Sequence, residues 1–167
     1  MTAPDDDPDF ARVRELLAGH NTLTLATAGE GGAWAASVFY ASDERCNLYF
    51  VSDLRTRHGR DMGREPRVVA AINRDVATWD EVVGLQLEGQ VEVLAGIDRV
   101  GALASYLAKF IQVRRIFESP REASEKLIAA RLQGTAFWRL TPDWIRLIDS
   151  TRGFGWKREF RLREARP

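Results

Sequence analysis

The sequence predicts a single domain that is mainly β, a barrel or sandwich with helices at its flanks. Three observations lead there. Residues 22–52 hold three short stretches of strand-like patterning, separated by polar or glycine turns at intervals of about ten residues. Residues 82–94 (VVGLQLEGQVEVL) read as one long strand, in which Gly84 and Gly89 suit the bulges or sharp bends that a closed sheet needs. Helical periodicity is confined to the N-terminus and to the stretch before the last strands.

The elements follow in order. Phe10, Val13, Leu16 and Leu17 repeat at helical spacing, with Asp7 as N-cap, Pro8 at the first helical position and Gly19 as the stop. Residues 22–27 (TLTLAT) alternate as a half-buried strand. The glycine-rich run 29–32 is a hairpin loop into a second strand over 34–41, and residues 42–47 turn the chain into a third, 48–52. Residues 54–65 are polar and arginine-rich and stop at Pro66, which predicts a short helix before a fourth strand over 67–73. Two helices come after the long strand. One covers about 98–110, and the other opens on Ser119-Pro120-Arg121-Glu122, a capping box with proline at N1, and closes at Gly134. Strands at about 135–140 and 144–149 end the fold, separated by a Thr141-Pro142-Asp143 turn. The chain divides into an acidic N-terminal segment, 1–9, and one domain over 10–163.

Composition narrows the function. The 167 residues carry 24 basic and 24 acidic side chains, and zero net charge counts against a dedicated nucleic-acid binder. No apolar run reaches the roughly 18–20 residues that span a bilayer, and the acidic N-terminus lacks the basic and apolar regions of a secretory signal. A single cysteine, Cys46, excludes an internal disulfide framework and fits a reducing cytoplasm. The zero is a sum of opposed regions: Asp5, Asp6, Asp7 and Asp9 crowd the N-terminus, while 55–67 and 152–166 are basic. If both basic segments border one cleft, a neutral protein presents a positive mouth to an anion.

With two histidines, His20 and His58, and no CxxC or HxxxH spacing, the chain offers no four-ligand metal site. No serine sits in a Gly-x-Ser-x-Gly nucleophile elbow. Gly29, Gly31 and Gly32 lie between two strands, where a phosphate loop would run from strand to helix, so they read as a hairpin tip. The strongest chemical signal is residues 52–58 (SDLRTRH), where a strand ends and a helix begins. Thr56 supplies a hydroxyl, Arg57 a bidentate fork and His58 a pH-sensitive donor, with the free amides of a helix start beside them. Two readings stand there, a solvated helix with paired charges and a phosphate clamp on a barrel rim.

This layout resembles the FMN-binding split β-barrels related to pyridoxamine 5′-phosphate oxidase. Residues 48–52 (LYFVS) stand where that family's third strand ends, and Thr56-Arg57-His58 stands four residues on, in the place of its Ser-Arg-Lys phosphate triplet. Residues 87–93 (LEGQVEV) resemble its EG-x-V/A-E-x-V strand, and 139–143 (RLTPD) its last hairpin. A closer likeness is to a bacterial subgroup of uncharacterised split-barrel proteins that share Thr-Arg-His and the Gly-Phe-Gly-x-Lys run, here Gly153-Phe154-Gly155-Trp156-Lys157.

The resemblance implies a six-stranded-type, Greek-key-like split barrel with an N-terminal helix and two helices before the final strands. It implies a homodimer with FMN at the subunit interface and an oxidoreductase activity on a small molecule. Thr56, Arg57 and His58 would hold the phosphate, Ser52 the phosphate or ribityl chain, and the backbone of Ser37, Val38 and Phe39 the ring edge. Lys157 would close over the ring or bind an anionic substrate, while Phe154 and Trp156 read equally as core. No catalytic acid or base is assigned. The second strand lacks the flanking arginine and lysine of the vitamin B6 enzymes, and residues 161–164 (RLRE) are not their Arg-x-His-x-Arg clamp, which points away from vitamin B6 oxidation. The alternative is a non-catalytic module or sensor for flavin, for the deazaflavin F420, or for haem, with His20, His58, Cys46, Met1 or Met62 as axial ligand.

Overall fold

In the computed structural model, which describes residues 7–162, seven antiparallel strands pair in the order β3-β2-β1-β4-β5-β6-β7, and β3 also pairs with β6. That extra pairing closes a six-stranded ring, with β7 as an outside strand on β6. The strands are β1 (Thr22–Gly29), β2 (Gly32–Ser42), β3 (Leu48–Val51), β4 (Arg67–Asn73), β5 (Val83–Val93), β6 (Phe137–Asp149) and β7 (Lys157–Arg161). Leu23, Leu25, Phe50, Val68, Ile72, Leu85, Leu87, Leu140, Ile145 and Leu147 alternate inward and fill the ring. The helix α1 (Pro8–Gly19) caps this core with Phe10, Val13, Leu16 and Leu17. Among the described residues no helix is long and apolar enough to cross a membrane.

The helix α2 (Arg57–Arg64) joins β3 to β4 as expected. Three helices, rather than two, separate β5 from β6: α3 (Gly96–Lys109), α4 (Ile111–Glu118) and α5 (Ala123–Gly134). The capping box does not form. Ser119 ends α4, and Glu122 occupies the α5 cap without a side-chain bond. Glu125, one turn further on, accepts from the Arg121 amide at 2.7 Å and pairs with Arg115. A second apolar cluster of Ala41, Leu94, Ala102, Tyr106 and Phe137 seats α3 on the barrel. Lys109 at the end of α3 donates to the His20 carbonyl and lies 4.4 Å over the Tyr40 ring, and its burial pushes the ammonium pKa down to about 8.

The expected hairpin at Thr141-Pro142-Asp143 is instead a bulge inside one continuous strand. β5 pairs Glu88 with Trp144 but Gly89 with Pro142, leaving Asp143 extra. Proline has no amide to give the ladder, and Gly89 makes room for it: a Cβ there would lie 2.3 Å from the Thr141 carbonyl oxygen. Asp143 turns its carboxylate to Arg67, which also holds Glu88 at 2.9 Å. Before the bulge β6 pairs with β3, and after it with β7. The barrel splits at Pro142.

β7 and α1 hold the two ends of the described chain together. Phe160 meets Phe10 edge-on at 5.2 Å, while Asp9 accepts from Arg152 at 2.6 Å and from Arg158 at 2.5 Å. Asp7, Pro8 and Asp9 therefore sit in the cap and first turn of α1. This pairing corrects the expected positive mouth, because Arg152 and Arg158 are matched by Asp9 and Asp7 rather than left free. Asp5, Asp6, Arg163, Glu164 and Arg166 lie outside the described residues. The hydrogen bonds from Arg158 and then Arg152 hold the Asp9 carboxyl below the usual carboxylate range. A depressed folded pKa stabilises above the unfolded value near 3.9 and is lost as pH falls through the folded value. Asp9→Asn is expected to cost roughly 1–2 kcal/mol at pH 7. Thermal melts should show that difference shrinking as pH falls below the unfolded value.

Candidate functional site

The candidate site forms where β3 runs out. Ser52 is anchored on both backbone groups: its amide donates to the Ala136 carbonyl at 3.1 Å, and its carbonyl accepts from Trp138 Nε1 at 3.0 Å. Asp53 then turns the chain by accepting from the Arg55 amide at 2.8 Å, and it pairs with the Arg55 guanidinium. Thr56 caps α2. Its hydroxyl accepts from the Gly59 amide at 3.1 Å and donates to the Asp53 carbonyl at 2.7 Å. Gly59 permits the tight turn, since a Cβ there would fall 2.3 Å from that same carbonyl oxygen.

This turn gathers Ser52, Thr56 and His58. Ser52 Oγ lies 2.6 Å from His58 Nε2 and 3.5 Å from Thr56 Oγ1. Burial holds the His58 imidazole below its ordinary value of 6.5, with the nearby Asp61 carboxylate pulling weakly the other way. At neutral pH His58 is a neutral hydrogen-bond partner of Ser52. Arg57 leaves the helix start in another direction. Its Nη2 donates to the Gly31 carbonyl at 2.6 Å, and the guanidinium lies 4.5 Å over the Trp34 ring. Nε and Nη1 of Arg57 have no partner among the described residues. Asp61 fastens α2 to β1, its buried carboxylate accepting from Thr27 Oγ1 at 3.1 Å and lying close enough to Gly29 to exclude a Cβ.

Three participants were not foreseen from the sequence: Trp34 under Arg57, the Gly31 carbonyl, and Asp61. Arg57 and Trp34 are 23 positions apart, and no local pattern links them. The glycine run 29–32 is a hairpin tip, as read, and it also supplies the carbonyl that orients Arg57.

The other expected site residues lie elsewhere. On β2, Val38 packs on the core, while Ser37 and Phe39 face outward opposite Thr24 and Thr22. Phe39 is 56% exposed and meets Phe110 of the α3–α4 junction edge-on at 5.5 Å. With about 3.3 Å per residue, Ser37 begins about 10 Å along β2 from Trp34. Lys157 opens β7 opposite Ile148, which pairs with Gly84 and through it with Asn73. That is the end of β4 remote from Arg67 and α2, about 20 Å away along the strands. Within one chain Lys157 does not join Thr56, Arg57 and His58. Trp156 packs on the core under Arg152, whereas Phe154 is out in solvent.

The family model described as pyridoxamine 5′-phosphate oxidase matches residues 10–149, the ring of strands, α2 and the helical excursion together. The chain belongs to this family. Among its relatives, the UPF0306 protein YhbP of Salmonella paratyphi B is 29% identical over 154 residues, covering 89% of this chain and 93% of that one. A haem-binding protein from Mycobacterium smegmatis has the same fold, with a TM-score of 0.67 and 22% identity over 89% of this chain and 56% of that one. So does an FAD-binding protein from Mesorhizobium loti, with a TM-score of 0.59 and 15% identity over 81% and 90%. At these identities the two structures speak for the split-barrel fold alone.

Membership in the pyridoxamine 5′-phosphate oxidase family raises the question of a phosphate-bearing flavin, and the donor set fits one. The start of α2, the unengaged face of Arg57, and Ser52 with His58 form a rim of donors, and the one carboxylate that opens the turn, Asp53, is matched by Arg55. The Asp53 carboxyl is accordingly depressed to about 2. Thr56 differs from expectation in that both roles of its hydroxyl are taken by the cap. Its contribution is to build the helix start.

Proposed function

We propose that this protein binds FMN as a homodimer and acts as an oxidoreductase on a small molecule other than a vitamin B6 phosphate. The observation that carries the reading is the start of α2, where the Ser52 hydroxyl and the His58 imidazole meet and Arg57 follows with Nε and Nη1 unengaged, in a chain of this family. Arg57 would grip the phosphate through Nε and Nη1. Ser52 and His58 would donate to it or to the ribityl chain, and the β2 backbone from Ser37 to Phe39 would run beside the ring. Flavin supplies hydride and electron transfer at its ring, and the protein's part is to bind, orient and shield it.

A second copy has a place to pack. Ala33, Ala35, Ser37 and Phe39 on β2, Ala26 and Ala28 on β1, and Val69 on β4 make an uncovered face of small and apolar side chains. It continues into a groove of about 400 Å³ lined by Thr24, Ala26, Val69, Ala71, Trp144 and Arg146. A sheet face this bare and finely textured admits another sheet closely, and sedimentation should find a dimer.

The deciding test is titration of the purified, folded protein with FMN, read by quenching of flavin fluorescence. Binding in the micromolar range or tighter is expected, and its absence sinks the reading. The haem-binding neighbour makes haem the second arm of the same test. His58 Nε2 is engaged by Ser52 and His20 Nδ1 by the Leu16 carbonyl, so neither ring is free at both nitrogens. A Soret band lost in His58→Ala would favour haem over flavin.

His58 also predicts a pH dependence. A bound phosphate dianion favours the imidazolium, so the imidazole takes up a proton on binding and its pKa rises from the depressed value. FMN affinity should therefore rise from pH 8 toward pH 6, below which protonation of the phosphate itself, with a pKa near 6, opposes it. In His58→Ala the rise between pH 8 and 6 should vanish.

A further inference from the structure

Ser52 and His58 meet more closely than two donors to a common anion need to. The Ser52 backbone is pinned through its amide by Ala136 and through its carbonyl by Trp138, which holds the hydroxyl in one place. Thr56 Oγ1 lies 3.5 Å from that hydroxyl, but the α2 cap already uses it, as donor to the Asp53 carbonyl and acceptor from the Gly59 amide. His58 Nε2, at 2.6 Å, is therefore the close partner of Ser52 Oγ. Burial keeps the imidazole neutral at pH 7, and with its proton on Nδ1 it can take the serine proton on Nε2. Asp61, from the same helix, favours the imidazolium that then forms, though it makes no hydrogen bond to the ring. Asp53, the other carboxylate of the turn, is matched by Arg55. The amides of Thr56, Gly59 and Arg60 are all engaged, whereas those of Arg57 and His58, the first two of α2, have no partner among the described residues. A fixed hydroxyl, a neutral base and free amides at a helix start are the parts of an acyl-transfer site.

We propose that Ser52 and His58 form a nucleophilic dyad that hydrolyses small activated esters, an activity separate from the flavin reading and independent of it. Ser52 Oγ bonds to the acyl carbon as its proton passes to His58 Nε2. The Arg57 and His58 amides receive the charge that develops on the carbonyl oxygen. The ester C–O bond breaks, and the departing alcohol takes the proton from His58. Water, deprotonated by the same imidazole, then attacks the acyl-serine, and the acid leaves with the serine hydroxyl restored. Ser52 is only 6% exposed, which restricts the acyl group to a small one.

A small alkyl fluorophosphonate tests this on purified protein without added flavin. The reagent forms an Oγ–P bond and expels fluoride together with the serine proton, and peptide mass spectrometry locates the adduct. One adduct per chain is expected, on Ser52, with the rate rising to a plateau through a midpoint below pH 6.5 as His58 loses its proton. His58→Ala keeps the hydroxyl but loses the base, and labelling should slow by about a hundredfold or more. Turnover of p-nitrophenyl acetate should fall in both His58→Ala and Ser52→Ala, with folding checked by thermal melts. No adduct on Ser52 in the wild-type protein, or equal labelling rates in wild type and folded His58→Ala, overturns the dyad while leaving the flavin reading in place. Wild-type protein that is labelled at Ser52 but binds no FMN overturns the flavin reading alone.

Discussion

Arg57→Ala should weaken FMN binding by about 1.5–3 kcal/mol, or roughly tenfold to more than a hundredfold, as expected for charged hydrogen bonds lost from a phosphate. Fluorescence titration reads this directly. The variant also loses the bond to Gly31 and the stack on Trp34, an exposed contact worth about 0.5–1 kcal/mol, so its melting temperature should fall only slightly. A large loss of affinity with a small loss of stability identifies a ligand contact. Arg57→Lys separates charge from shape: it keeps the cation but not the planar fork, and should recover only part of the affinity. An unchanged affinity in Arg57→Ala removes this residue from the site.

Much of this arrangement is legible in the order of residues, and what is not has a physical reason. The strands from Thr22 to Val93 could be read because alternation is a local property and the glycines between them mark turns or close approaches. The short helix after Val51 could be read because Thr56 caps it and Pro66 ends the segment. The continuity of β6 could not. Thr141-Pro142-Asp143 has turn chemistry, and only the glycine opposite, 53 positions earlier in the chain, makes a bulge fit there. The end of α3 near Phe110 could be read, but α4 could not, because it buries no residue and so carries little of the core's patterning. β7 escaped notice because most of its side chains are charged; it is held by pairing with β6 and by Asp7 and Asp9.

The same division runs through the site. Thr56, Arg57 and His58 are neighbours in sequence, and their spacing alone draws attention to them. What each does depends on distant partners: Arg57 on the β1–β2 tip, α2 on Asp61 and Thr27, His58 on Ser52. The expected charge at the third position of the triplet depends on burial, which sequence does not display. Burial holds the His58 imidazole below its ordinary value, so it is not a fixed cation at neutral pH. Lys157 differs again. Its sequence context is specific, but the sheet carries it to the far end, so its expected role requires a second chain.

Trp138→Ala should be the most destabilising single change, at about 3–5 kcal/mol for a buried tryptophan, a large share of the 5–15 kcal/mol that holds a domain together. Chemical denaturation measures it. Trp138 is fully enclosed, lies parallel to Phe50 with centroids 6.5 Å apart, and donates Nε1–H to the Ser52 carbonyl. Trp138→Phe divides these roles. The ring and most of its packing remain, but the buried carbonyl of Ser52 loses its donor, at a cost of about 1–3 kcal/mol. Ser52 is also the residue that meets His58, so the phenylalanine variant should loosen the rim as well as the core. Its FMN affinity should fall and the rise in affinity between pH 8 and 6 should flatten, while Phe50→Leu, which disturbs the same stack without touching Ser52, should lower stability and leave that pH profile in place. Equal effects on the profile from both variants would mean that the indole bond does not position the site and that Trp138 acts through packing alone.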